Sequence, residues 1–186
     1  MQTPLLSFMG AALLGMFSAA AVAADPAYLQ LKDVEAEWKG RAKTLELEFE
    51  TSGPVPMDGK AGAFGFGALT DGINNVLVLT SHLPIDDSTH EQASSGFHTH
   101  VLDLKPPTSA CAAANFEVDL ENSGKNTAFD ANYPWSIKGN KIEVEKVPTA
   151  DLGDAGVETL VSFTIKPILD AQQKPTNLCV TVVDKI

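Results

Sequence analysis

The chain has 186 residues, with 13 basic against 24 acidic side chains and a formal charge of −11. At 44% hydrophobic and 20% charged residues it has the composition of a globular protein rather than a disordered one. The acidic balance argues against a nucleic-acid or anionic-membrane partner, since either wants a basic face. Two cysteines exclude a Cys-rich zinc module or an iron–sulfur protein.

The first segment reads as a secretory signal peptide over residues 1–23. Leu5, Leu6, Phe8 and Met9 open an apolar, small-residue run that ends in Ala21-Val22-Ala23, an A-x-A cleavage pattern, before polar Asp25 and Pro26. The run is shorter than a comfortable membrane span. No Lys or Arg precedes it, so the only positive charge there is the amino terminus. Cleavage near Ala23 leaves residues 24–186 as a single domain, exported to the periplasm or secreted, with no membrane attachment after processing. That length supports a real core.

Strands are expected nearly throughout. Leu45, Leu47 and Phe49 alternate with Glu46, Glu48 and Glu50; Phe116, Val118 and Leu120 alternate with Glu117, Asp119 and Glu121; Ile142 and Val144 alternate with Glu143 and Glu145. This is the half-buried antiparallel pattern, apolar inward and acidic outward. Val76 to Leu79, Leu160 to Ile165 and Cys179 to Val183 read as strands buried on both faces. Gly65 and Gly67 alternate with Phe64 and Phe66, which puts the glycines on the opposite face and implies close approach there. Gly139-Asn140 is a tight hairpin turn. About nine short strands with regular turns predict an all-β, single-domain antiparallel β-sandwich or Greek-key barrel. Ala112 to Ala114 could make one helical turn at most.

Cys111 and Cys179 form an even pair in an exported chain and are expected to make a disulfide.

The chemical lead is histidine. All four fall between positions 82 and 100: His82, His90, His98 and His100. They sit on and between two strand-like runs, joined by a polar loop that is long for a hairpin. His98 and His100 are two apart and project from one strand face. With His82 opposite His98, Thr80 faces His100, Val78 faces Leu102 and Val76 faces Leu104. Three imidazoles then converge at the rim of an apolar face, and His90 can close over them from the loop. Asp86, Asp87 and Glu91 are oxygen candidates or groups that orient the imidazoles. Imidazole ligands suit copper, zinc and nickel and serve calcium and magnesium poorly. Met57 is a further soft donor.

The string Gly96-Phe97-His98-Thr99-His100 resembles the G-F-H-x-H copper-ligand strand of the copper/zinc superoxide dismutases, acidic β-sandwiches that also carry an intrachain disulfide. The resemblance covers five residues. In that family further ligand histidines follow the H-x-H strand and two metals take six histidines and an aspartate; here none follows His100 and the chain has four. The resemblance implies that H-x-H on a sandwich strand can hold copper, not dismutase activity.

Other chemistries are weaker. No GxSxG occurs, and Asp119 stands where a P-loop ending in Gly124-Lys125 needs glycine. Tyr133-Pro134-Trp135 is either an aromatic platform or core and turn. The expectation is an exported protein that binds a copper ion, with zinc as the alternative, for binding, storage or delivery rather than turnover. One rival is a metal-free extracellular β-sandwich module that contacts a protein partner through the 83–96 loop. The other is a metal-dependent oxidoreductase or hydrolase with an open coordination position.

Overall fold

The computed structural model describes residues 24–70, 74–83, 85, 88–125, 129–153 and 156–186. The expected signal peptide lies outside them. Among the described residues there is no α-helix, three short 3-10 turns and twelve strands. In chain order the strands are β1 (Leu31–Lys39), β2 (Thr44–Thr51), β3 (Phe64–Thr70), β4 (Val76–Ser81), β5 (His98–Leu102) and β6 (Leu104–Lys105). There follow β7 (Phe116–Val118), β8 (Asp130–Ala131), β9 (Trp135–Lys138), β10 (Lys141–Pro148), β11 (Val157–Leu169) and β12 (Pro175–Lys185). No helix among the described residues is long and apolar enough to cross a membrane.

Two antiparallel sheets form a sandwich. One has four strands in the order β1-β2-β10-β9; the other has eight, β6-β7-β12-β11-β3-β4-β5-β8. The alternation read from sequence sets their facing. Leu45, Leu47, Phe49, Ile142 and Val144 are buried, while the glutamates between them face outward. They meet Phe64, Phe66, Leu77, Leu79, Phe97 and Val101 of the larger sheet in one apolar cluster. Tyr133 and Trp135 pack against that cluster, so the aromatic string is core and turn.

The larger sheet buries its other face as well, by curling on itself. β5 and β6 lie near its opposite ends in strand order, yet Asp103 alone separates them in sequence. That connection draws the two ends together. Inside the curl Val76, Val78, Leu102, Leu104, Val118, Val161, Phe163, Leu178 and Val180 form a second apolar cluster. Strand β3 serves both cores: Phe64 and Phe66 enter the sandwich, and Gly65 and Gly67 line the curl. A Cβ on Gly65 would come within 2.8 Å of the Phe163 ring and 2.5 Å of the Leu79 carbonyl, so the missing side chains permit the close approach.

Two expectations need correction. The 116–121 run is not a half-buried strand: β7 ends at Val118, Leu120 is 42% exposed, and Glu117 is 1% exposed. The curl covers β7 on one face, and Thr108, preceding the 3-10 turn Ser109–Cys111, covers the other by bonding Glu117. The β4–β5 register also differs by two residues. Thr80 faces His98, Val78 faces His100 and Val76 faces Leu102. Leu104 is withdrawn from this ladder because the chain turns at Asp103, whose carboxylate accepts the Asn75 amide, and passes to β7. An even shift keeps every side chain on its expected face.

Cys111 and Cys179 form a disulfide that fastens the Ser109–Cys111 turn to β12. The cross-link closes 68 residues, worth about 4 kcal/mol by loop entropy.

Candidate metal centre

The histidines gather where β4 and β5 reach one end of the curl. His98 and His100 lie on β5 and His82 follows the last residue of β4. All three are buried, at 6%, 0% and 2% exposure for His82, His98 and His100. His98 Nε2 lies 3.1 Å from His82 Nε2 and 2.8 Å from His100 Nε2. The His82 and His100 rings are nearly parallel, 5.9 Å apart, and the His98 ring stands at right angles to both. One ligand atom from each residue lies within 4.8 Å of the others, and the triad could hold a metal ion.

The other ring nitrogens explain the orientation. His82 Nδ1 meets the Ile85 carbonyl at 3.0 Å, His98 Nδ1 the Gly96 carbonyl at 2.8 Å, and His100 Nδ1 the Phe129 carbonyl at 2.8 Å. A carbonyl oxygen only accepts, so each Nδ1 carries the proton and donates. A neutral ring in that tautomer presents a lone pair at Nε2. The three Nε2 atoms therefore converge, and a metal ion among them would take one lone pair from each neutral ring. Backbone carbonyls that fix the ligand tautomer are the usual outer support of a metal-bound imidazole.

Local sequence builds each support. Ile85 N–H donates to the His82 carbonyl, closing a short turn that returns the Ile85 carbonyl to the His82 ring. Gly96 has φ +73°, and a Cβ there would meet Leu83 Cγ at 2.6 Å; glycine makes the turn that aims its carbonyl at His98. The Phe129 ring packs 4.3 Å from His100, while β8 pairs Asp130 with His100.

His90 is not in the triad. Its side chain is 38% exposed, and Nε2 lies 3.9 Å from Asp130 Oδ2. Asp130 also accepts from the Ser88 hydroxyl and from the Thr89 amide and hydroxyl. Burial raises the Asp130 carboxyl, but these donors and His90 outweigh it and hold the group below the usual carboxylate range. Glu91 is close to the site: Oε1 lies 3.8 Å from His98 Nδ1. Asp86 and Asp87 lie outside the described residues. Met57 packs against the sandwich cluster instead.

Sequence reasoning did not find the Ile85, Gly96 and Phe129 carbonyls. A backbone acceptor leaves no side-chain signature; only Gly96, a turn residue just before H-x-H, offered a hint. Comparison with protein-family models, with curated proteins and with solved structures finds no match to this chain.

Proposed function

We propose that the protein binds a transition-metal ion through His82, His98 and His100, copper before zinc, for metal binding, storage or delivery in the periplasm or outside the cell. The observation that carries this reading is the convergence of three Nε2 atoms whose rings each donate Nδ1–H to a carbonyl. An all-imidazole set suits copper and zinc and offers calcium or magnesium no oxygen. The Cys111–Cys179 disulfide supports an oxidising compartment, where copper is handled.

Elemental analysis of the purified protein, with titration calorimetry of Cu(II), Cu(I) and Zn(II) on wild type and His98→Ala, tests the reading. Wild type should take up one ion per chain and the variant should not compete for it. No uptake by wild type at micromolar metal would leave the metal-free module, docking through the 83–96 loop. A second reading draws on the ligand count: three protein ligands leave a tetrahedral ion with a fourth position, as in catalytic sites. Activity abolished by chelation would favour it.

A further inference from the structure

The inside of the curl is not completely filled. A cavity of about 40 Å³ lies among Val78, Leu102, Val161, Phe163 and Val180, and its lining includes His82 and His100. Apart from those two rings the only polar side chain among the described residues of its wall is Thr80. The Thr80 hydroxyl donates to the Phe64 carbonyl at 2.9 Å. That hydroxyl is engaged and the two rings turn almost no polar surface inward, so an ordered water, which needs two to four polar partners, finds too few and the chamber stays dry. A water needs roughly 10–15 Å³ of such space and benzene a cavity of about 150 Å³, so the chamber lies between the two. That is room for a molecule of a few heavy atoms at most.

A second, outer cavity is lined by Leu83, Ile85, Pro167 and Leu169 and shares His82 and Ile165 with the inner one. These two side chains stand between the outer groove and the chamber. His100 faces the chamber alone, and His98 lines neither space.

We propose that the chamber binds a small uncharged apolar molecule, with dioxygen as the representative of the class, and holds it on the inward side of the histidine triad. The inference rests on the metal reading, because it is the ion's open position that such a molecule would adjoin. A solute in the outer groove, which Gln173 and Lys174 also line, borders the chamber at His82 and Ile165. The inner wall offers polar solutes almost nothing to replace their hydration, so the chamber selects for molecules that have little to lose.

Dioxygen is itself the probe, because it is paramagnetic and speeds the relaxation of nearby methyl protons. The protein is loaded with Zn(II), which does not react with dioxygen, and methyl relaxation is compared under nitrogen and under dioxygen. Methyls of Val78, Leu102 and Val161 should show an enhancement several-fold larger than those of Leu45, Leu47 and Ile142 in the sandwich core. Val161→Phe should abolish the excess by filling the chamber while leaving Zn(II) affinity unchanged. Val161→Ile, which adds less volume, should reduce the excess and keeps the test if the larger ring prevents folding. Equal enhancement in the two cores of a zinc-loaded protein would overturn this inference and leave the metal reading standing. Excess enhancement in a protein that takes up no metal would overturn the metal reading, and with it the placing of the molecule beside an ion.

Discussion

The curled sheet carries two buried polar constellations, and they are built on opposite plans. Around Glu117 every contact brings a donor to an acceptor. Oε2 accepts from the Thr108 amide and hydroxyl, Oε1 from the Asn177 amide, and Lys105 Nζ lies 3.4 Å away. Around His98 the backbone carbonyls accept from Nδ1 and three Nε2 atoms meet one another. A network closed by its own donors fastens a fold. Three ring nitrogens that converge on one point leave a place a metal ion can fill, and that marks a site for a ligand. Burial alone does not separate the two: Glu117 and His98 are 1% and 0% exposed.

The largest effect expected from this contrast is on metal. His98→Ala removes the central nitrogen, the one within 3.1 Å of both others. With roughly 10–16 kcal/mol available from a complete zinc-type site, losing one ligand should weaken binding about a thousandfold. Calorimetry with Zn(II) measures it, and His82→Ala and His100→Ala should follow. Glu117→Gln should leave affinity unchanged. A drop of similar size in Glu117→Gln would mean that the two ends of the sheet are not independent.

Next in size is the disulfide, on the Glu117 side. Cys179 pairs directly with Glu117 across β12 and β7. Replacing both cysteines by alanine should cost about 4 kcal/mol in denaturant unfolding, from the loop that is no longer closed. Zn(II) affinity of the folded fraction should not change. A stability loss below about 1 kcal/mol would show that the Glu117 contacts and apolar core hold that end unaided.

The sequence made the sandwich and the histidine cluster readable for one shared reason: side chains announce them. Glu46, Glu48 and Glu50 declare an outer face, and His98 and His100, two apart, must share one. The curl was not readable, because it depends on which strand β6 joins, and a two-residue strand carries almost no pattern. Glu117 was misread by the same rule that succeeded for Glu48: both alternate with apolar neighbours, but only Glu117 meets Thr108 across the Ser109–Cys111 turn and Asn177 from a distant strand. The histidine register came out two residues away from expectation yet on the correct face, since parity survives an even slip.

Acid should separate the two constellations more gently. Imidazole has a reference pKa of about 6.5 and binds metal only when neutral, so metal should leave as pH falls from about 7 to about 5. Burial raises the Glu117 carboxyl, but the bonds from Asn177 and Thr108 and the charge of Lys105 outweigh it and bring it from 4.5 down to about 2. A depressed pKa stabilises the fold above the unfolded value. The Glu117 contribution is therefore complete above pH 4.5 and is lost as pH falls toward 2. Metal release followed by pH titration, beside unfolding followed by circular dichroism, should give two separate transitions with metal first. Glu117→Gln should cost about 1.5–3 kcal/mol at neutral pH, from lost charged hydrogen bonds, and should converge with wild type near pH 2. Simultaneous loss of metal and fold would contradict the separation.

The smallest effect should come from His90, and it bears on where the metal centre ends. The ring is exposed and beside Asp130 rather than among the three converging nitrogens. Asp130 in turn is held by Ser88 and Thr89, so removing the imidazole leaves the loop's main attachments intact. His90→Ala should thus change Zn(II) affinity by less than about threefold, below 1 kcal/mol, as a long, partly exposed side-chain contact is worth little. A loss of tenfold or more would mean that the loop closes on the ion and supplies His90 as a fourth ligand. The site would then be saturated by protein, the open position would vanish, and a storage role would gain at the expense of any reaction at the metal.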